Sequence, residues 1–374
     1  MKVLFAGGGT AGHINPALAI AGYLREKEPD VQILYIGAKG GMEERLVPAA
    51  GFAFKSITVS GFQRSLSWKN IKKNVKTVVH VFTASHEARK LIKDFQPDIC
   101  VGTGGYVAGP VIREAMKLRI PAVIHEQNAF PGVTNKMLSK RANKTMLAVA
   151  DAQKHLDPAA NCVLTGNPVR QSILRANRAE SRKALGLDDR PMVLSFGGSL
   201  GARKINEAVA ELLVYGAKND RFRYIHGYGQ YGGWFPDLLK EKGLVLSRHP
   251  NMDIREYINN MPECLAAADL VICRAGAISL SELQAQGKAA ILIPSPNVAE
   301  NHQYHNAMAM VNRGAAVILE EKDLTGEALS AKVDELFKNP QTVLKLGENA
   351  KKMAILDANV RIYKIIKEVL AGKV

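Results

Sequence analysis

The sequence predicts an α/β protein built from two doubly wound domains, and three observations carry that prediction. A short apolar run, Val3 to Ala6, passes directly into Gly7-Gly8-Gly9-Thr10-Ala11-Gly12-His13 and then into a helical stretch. Far along the chain the same order restarts, with Met192 to Phe196, then Gly197-Gly198-Ser199-Leu200-Gly201, then a helix from Ala202. From Leu270 to His305, strand, loop and helix follow one another twice. Apolar runs too short for a helix, each leading through a turn to an amphipathic stretch, indicate parallel strands with helical crossovers. A chain of 374 residues has room for about two such domains.

Composition narrows the class. An apolar fraction of 47% and a charged fraction of 23% are ordinary for a globular protein. The four cysteines, Cys100, Cys162, Cys264 and Cys273, show no paired spacing, and two lie in apolar runs; they read as reduced, mostly buried thiols of a cytosolic protein. No apolar run approaches the roughly 20 residues that span a bilayer. The apolar start breaks at Gly7, too early for a secretory signal. The net charge of +15 is concentrated in residues 1–160, which hold +10 of it. That field suits nucleic acid, an anionic membrane surface or a phosphorylated substrate.

In chain order, the first glycine loop feeds a helix expected from about Asn15 to Arg25, with Pro16 in its first turn. Gly7, Gly9 and Gly12 satisfy G-x-G-x-x-G, but a dinucleotide site also needs an acid at the end of the second strand. Here Val31 to Ile36 ends in Gly37-Ala38-Lys39, which sets the nicotinamide reading aside. What is left is a glycine loop over a helix N-terminus, competent to hold a diphosphate, with His13 at its edge. The positive helix end disfavours imidazolium, so a neutral His13 is a candidate proton acceptor; a histidine that merely caps the loop fits as well.

Residues 61–95 place Phe62 and Trp68 beside Arg64, Lys69, Lys72, Lys73 and Lys76, with eight basic residues against two acidic ones. Ile71, Val75, Val78, Val79 and Phe82 recur at helical spacing. This is either a surface resting on anionic lipid, with the two aromatics dipping in, or a solvated basic face over a core stripe. A strand from Asp98 to Val101 ends in Gly102-Thr103-Gly104-Gly105-Tyr106, and one from Ala122 to Ile124 ends in His125-Glu126-Gln127-Asn128. Polar side chains crowded at a strand's carboxyl end suit an acid, a base or an orienting group. Another strand near Val163 ends at Gly166-Asn167-Pro168-Val169-Arg170. The charged segment Gln171 to Pro191 reads as the domain junction, and Gly227 to Trp234 as a flexible loop.

In the second half, Leu270 to Cys273 is a strand, and Ser279 with Glu282 three residues on has the form of a capping box. Ala289 to Ile293 is the next strand, ending at Pro294-Ser295-Pro296; a polar loop, Asn297 to Gln303, opens the following helix. Both loops lie at carboxyl ends of strands, where open α/β sheets bind ligands. A phosphate-binding helix end, the carboxylate of Glu282 and the amides of Asn301 and Gln303 suit a nucleotide-sugar. Glu282 as a simple capping group and Gln303 as a solvated residue remain open here.

Seven motifs in order then carry a resemblance: Gly8-Gly9-Thr10-Ala11-Gly12-His13; Gly104-Gly105-Tyr106 with Gly109-Pro110; His125-Glu126-Gln127-Asn128; Gly166-Asn167-Pro168-Val169-Arg170; Gly197 to Ala202; Cys273-Arg274-Ala275-Gly276-Ala277 through Glu282; and Asn301-His302-Gln303. Over nearly the whole chain they resemble the MurG family, within glycosyltransferase family 28. Ala11 stands where that family commonly has glycine. The resemblance implies a GT-B fold, two Rossmann-like domains facing across a cleft. Residues 1–165 would form the acceptor and membrane-facing domain and residues 166–351 the donor domain, with a helix at about 352–374 packing back on the first.

The implied reaction moves N-acetylglucosamine from UDP-N-acetylglucosamine to the 4-hydroxyl of undecaprenyl-diphospho-muramoyl pentapeptide, with inversion, in peptidoglycan synthesis. Ile258 would meet uracil through its backbone, and Glu282 would hold the ribose hydroxyls. Ser199 and the loop Ala277, Ile278, Ser279, Leu280 and Ser281 would hold the diphosphate side, and Gln303 the sugar. Asn128 and Arg170 would complete the donor site from across the cleft, with Thr10, Ala11 and Gly12 contributing to it. Gly9, Gly104, Gly105 and Tyr106 would face the acceptor diphosphate. His13 is the first candidate for the base, with His125 and Glu126 behind it. No cluster with ligand spacing is present, so no protein-bound metal or other cofactor is expected. Expected partners are the two substrates, the anionic inner membrane surface and the cell-wall and division machinery, with peripheral placement on the cytoplasmic face of the cell membrane and a part in cell shape.

Three other functions share features of the sequence. A UDP-N-acetylglucosamine 2-epimerase would share fold and donor but has no use for the basic patch bearing Phe62 and Trp68. A nucleic-acid binder would explain the charge, but aromatics are only 6% of the chain and do not interleave with the basic run. A glycolipid synthase using a UDP-sugar and diacylglycerol is closer, and the His125 to Asn128 stretch and the Asn301 to Gln303 loop separate it by resemblance.

Overall fold

A computed structural model describes residues 1–59 and 83–372. The chain forms two compact units, Met1–Pro168 with Asp357–Val374, and Val169–Leu356. The segment Gln171 to Pro191 is therefore no junction. It folds into two helices, Gln171–Arg175 and Arg178–Ala184, inside the second unit. Arg178 and Arg182 both reach Asp269, which explains why so charged a stretch is held down.

The first unit holds a parallel sheet of β1 (Lys2–Gly7), β2 (Gln32–Ala38), β3 (Ala53–Ile57), β4 (Ile99–Gly104), β5 (Ala122–Glu126), β6 (Lys144–Leu147) and β7 (Cys162–Leu164). Their order is β3-β2-β1-β4-β5-β6-β7. Every residue of β4 and β5 is buried, as expected for strands covered by helices on both faces. Strands β4 and β5 run further than the sequence suggested. Gly102, Thr103, Gly104, His125 and Glu126 are strand residues, and packing leaves no bulk at Gly102, where a Cβ would meet Ile112 at 2.8 Å. The helix Ala11–Lys27 also starts earlier and encloses Pro16 in its second turn. The proline forgoes only the one bond its N–H would give Gly12, and its buried ring packs in return.

The second unit repeats the design with β8 (Met192–Phe196), β9 (Arg223–Gly227), β10 (Met252–Arg255), β11 (Leu270–Cys273), β12 (Ala289–Leu292) and β13 (Val317–Ile318), in the order β10-β9-β8-β11-β12-β13. In each sheet the direction of winding reverses once, between β1 and β4 and between β8 and β11. That reversal opens the crevice at the carboxyl ends of the strands where doubly wound folds take ligands. The C-terminal helix Ala358–Leu370 belongs to the first unit, where Ile362, Ile366 and Val369 enter the core beside the helix Ala11–Lys27. Tyr363 and Lys367 both donate to Glu28 there, at 2.6 and 2.8 Å.

Candidate active site

At the switch point of the first unit, the ends of β1, β4 and β5 bring His13, Thr103 and Gln127 together. His13 lies in the first turn of its helix, and the Thr103 hydroxyl donates to the His13 carbonyl at 2.7 Å. The ring is half-buried, with Nδ1 3.0 Å from the Thr103 carbonyl and 3.3 Å from Gln127 Oε1. Both neighbours accept only, so Nδ1 carries the hydrogen in the neutral ring and Nε2 carries the lone pair. An imidazole with Nδ1–H held, and with no partner on Nε2 among the described residues, is arranged to accept a proton.

His125 and Glu126 are placed differently from the expectation that either acts as acid or base. His125 is wholly buried; its Nε2 donates to the Gly166 carbonyl at 2.9 Å and its Nδ1 accepts from Gln127 Nε2 at 3.0 Å. Burial holds its pKa below the ordinary histidine value. Glu126 is buried as well, and both oxygens are used. Oε1 accepts from the Asn128 backbone and amide, and Oε2 from Gly132 N and Asn135 Nδ2. With every polar atom engaged, these two organise the loop after β5. Gln127, absent from the sequence-derived set, links His125 to His13; its place between two candidate residues was the available signal.

Two glycine loops stack beside this group. Gly105 has φ of +78° and lies against Gly8, so that a Cβ on it would fall 2.1 Å from the Gly8 carbonyl oxygen. A Cβ on Gly9 would strike the Tyr106 ring at 2.7 Å. Gly104, next to His13, is held at φ +98°. Thr10, Ala11 and Gly12 form the helix start, with the Thr10 carbonyl accepting from His13 N and Ile14 N. Thr10 and Gly12 are exposed. One acid escaped the sequence reading: Glu43, fully buried, accepts from Ala38 N at 2.9 Å and lies under Gly8. It sits beyond the end of β2, past the place where a dinucleotide fold keeps its acid.

In the second unit, Glu282 projects from the helix Ala277–Gln286 and is buried, with Oε1 accepting from Arg170 Nε at 2.8 Å. Arg170 thus shares a unit with Glu282, and the expectation that it reaches the donor site from the other domain is corrected. The chain has already entered the second unit at Val169. The capping box is corrected too. Gly276 is the N-cap and Ser279 lies within the helix without a capping bond. The first backbone bond of the helix runs from Leu280 N to Gly276 O, so the turn Ala277-Ile278-Ser279 presents its N–H groups at the helix end. Leu280 buries its side chain in the core, and Ser281 Oγ turns back to the Ala277 carbonyl.

At the same carboxyl edge of the sheet, Ser199 is exposed in the glycine loop after β8, and its carbonyl accepts from Gln230 N. Ile258 buries its side chain over Gly227 in an irregular stretch after β10. Gln303 Oε1 accepts from Ser295 N at 2.9 Å, tying the loop after β12 to the next helix. Arg274 joins the loops after β11 and β12 through the Ile293 and Pro294 carbonyls and an ion pair with Glu321. Phe62, Trp68, Lys69, Lys72, Lys73 and Lys76 lie outside the described residues, as does the helical spacing from Ile71 to Phe82. Among the described residues no group of three or more His, Cys, Asp or Glu is gathered as a metal site, and no helix is long and apolar enough to cross a membrane.

With this geometry in place, the likeness to known proteins is specific. The N-terminal domain model of glycosyltransferase family 28 matches residues 3–147, and its C-terminal domain model matches residues 192–368. A UDP-N-acetylglucosamine–N-acetylmuramyl-(pentapeptide) pyrophosphoryl-undecaprenol N-acetylglucosamine transferase of Acetivibrio thermocellus is 46% identical, over 100% of this chain and 99% of its own. A protein of the same name from Bacillus cytotoxicus is 42% identical over 99% of this chain and all of its own. Among solved structures, MurG of Acinetobacter baumannii superposes with a TM-score of 0.78 at 28% identity, covering 98% of this chain and 99% of that one. A UDP-GlcNAc 2-epimerase of Neisseria meningitidis, at 15% identity and a TM-score of 0.64 over the full length of both chains, shares the fold alone. The repeated switch points, the stacked glycine loops and these full-length matches agree, and the chain belongs to glycosyltransferase family 28.

Proposed function

We propose that the protein transfers N-acetylglucosamine from UDP-N-acetylglucosamine to the 4-hydroxyl of a lipid-linked muramoyl pentapeptide, the step that completes the disaccharide unit of peptidoglycan. The observation that carries this is the full-length likeness to transferases of that name, at 42–46% identity. In this reading the second unit holds the donor. Glu282 accepts from the ribose hydroxyls, the backbone of Ile258 meets the base, and Ser199 with the turn Ala277 to Ser279 takes the diphosphate. Gln303 faces the sugar. Charge on the departing diphosphate is met by the helix N-terminus and oriented N–H groups, so no step needs a protein-bound metal.

The first unit holds the acceptor, with Gly9, Gly104, Gly105 and Tyr106 toward its diphosphate. His13 Nε2 takes the proton of the 4-hydroxyl as that oxygen attacks the anomeric carbon, the bond to UDP breaks, and the α-linked donor yields a β-glycoside. The basic field of residues 1–160 suits a peripheral stay on the anionic cytoplasmic face of the membrane, within reach of the cell-wall machinery.

Incubation with labelled UDP-N-acetylglucosamine and a short-chain lipid-linked acceptor tests the reading. Label should pass to the lipid fraction in β linkage, and only when the acceptor is present. Conversion of the sugar nucleotide to its 2-epimer without acceptor would contradict it.

A further inference from the structure

The side chains that hold His13 form a chain of hydrogen bonds with a single possible direction, and three backbone carbonyls set it. At one end, His125 Nε2 faces the Gly166 carbonyl at 2.9 Å; a carbonyl only accepts, so this nitrogen bears the hydrogen and Nδ1 is the acceptor. In the middle, Gln127 Nε2 lies 3.0 Å from both the His125 carbonyl and His125 Nδ1. Facing an acceptor on each hydrogen, that atom is the amide nitrogen, and Oε1 must then be the end turned to His13. At the other end, His13 Nδ1 faces Gln127 Oε1 at 3.3 Å and the Thr103 carbonyl at 3.0 Å. Reversing any one group would set lone pair against lone pair, and at His125 and Gln127 that mismatch would lie in a buried place.

Burial keeps the direction from being scrambled by water. His125 and Thr103 are 0% exposed and Gln127 is 1% exposed. The participants come from four separate places, the helix after β1, the end of β4, the end of β5 with the loop after it, and the loop after β7. Such convergence is not needed to bury a glutamine.

We propose that Gln127 and His125 are positioning residues, forming a directed hydrogen-bond relay from the Gly166 carbonyl that holds His13 in the Nδ1–H tautomer and presents Nε2 as the lone pair. Neither touches substrate. This rests on His13 being the base, and the measurements below separate the two claims.

The direct readout is the ring protonation of each histidine in the full-length protein, by two-bond 15N–1H correlation with ring-labelled histidine. His13→Asn and His125→Asn identify the two signals by their loss. His13 should show a protonated Nδ1 and a bare Nε2, and His125 the opposite pattern. A His13 with hydrogen on Nε2, or with both tautomers present, would overturn the relay whatever the activity shows. Gln127→Leu removes one of the two acceptors at His13 Nδ1, leaving the Thr103 carbonyl, and should admit the other His13 tautomer and lower kcat by roughly tenfold with donor KM unchanged. Gln127→Glu keeps an acceptor toward His13 and should hold kcat within a few-fold, although a buried carboxylate is the worse substitution for stability. If kcat instead falls in step with stability in both variants, the residue is only structural. If His13 has the stated tautomer yet His13→Ala turns over normally, His13 is not the base and the relay stands without a catalytic purpose.

Discussion

In the proposed donor site, the Glu282–Arg170 pair is expected to matter little for stability and much for binding. The carboxylate is nearly buried, but the arginine side chain is 55% exposed, so solvent screens most of the attraction and the pair contributes no more than about 1 kcal/mol. Arg170→Ala should therefore leave the unfolding midpoint almost unmoved. Glu282→Ala should raise donor KM by tenfold or more, since a hydrogen bond to a charged group is typically worth about 1.5–3 kcal/mol. Steady-state kinetics beside thermal melts would distinguish the two effects. A Glu282→Ala protein with wild-type donor KM would remove this residue from the donor site. Gly105 is the opposite case. Its positive φ and its closeness to the Gly8 carbonyl leave no place for a Cβ. Gly105→Ala should lower the unfolding free energy by roughly 1–3 kcal/mol through strain alone. Denaturant unfolding checks it; an unchanged midpoint would mean the loops do not stack as described.

Among the elements, those with a continuous apolar run were legible in sequence and those whose pattern depends on neighbours were not. β1, β8, β11 and β12 stand out because both faces are covered, which makes the run uninterrupted. β3, with four of its five residues exposed or half-exposed on a sheet edge, has no such run and does not stand out. The start of the helix Ala277–Gln286 was placed at Ser279 on capping chemistry, yet the chain caps it at Gly276 with no side-chain bond. The extended backbone at Gly276 starts the helix three residues before Ser279, so the serine falls inside the first turn where it has no orphan N–H to cap. The site was legible as motifs but not as roles. His125 and Glu126 carry side chains able to do acid–base work, and only burial and their partners show that their polar atoms are already engaged, His125 with Gly166 and Gln127 and Glu126 with the loop after β5. Gln127 looks idle in sequence because an amide acquires meaning only from what lies at its two ends.

Each sheet also buries one histidine, His125 on β5 and His226 on β9, and the elements around them set a pH dependence. Burial lowers both pKa values, that of His226 to about 3. Above the unfolded value of about 6.5 both states are neutral and nothing is lost. Below it the unfolded chain takes up protons that the native state refuses, so stability falls with pH by up to about 1.4 kcal/mol per unit for each histidine, until the native value is reached. For His226 that window runs from pH 6.5 to about 3. Urea unfolding between pH 7 and pH 5 should show the loss, and His226→Phe should flatten its share of the slope; an unchanged slope would contradict the account.

At the scale of the whole molecule, the chain is not cut once but threaded, since residues from Asp357 on return to the first unit. Ile362, Ile366 and Val369 are buried there, and fully burying such side chains contributes roughly 1.5–3 kcal/mol each. Their sum rivals the 5–15 kcal/mol by which a typical protein is stable. A chain stopped after Leu356 should lose protease resistance within Met1–Pro168 while the segment Val169–Leu356 keeps its own. Equal resistance of both segments would show that the last helix is dispensable.

The most direct test of the central claim, that this is an acceptor-dependent sugar transferase with His13 as its base, is UDP release from UDP-N-acetylglucosamine, with and without a short-chain lipid-linked muramoyl pentapeptide, in wild type and His13→Ala. Release should require the acceptor in wild type and fall by at least a hundredfold in the variant, with donor affinity unchanged. Release without acceptor, or a variant that keeps wild-type turnover, would contradict it.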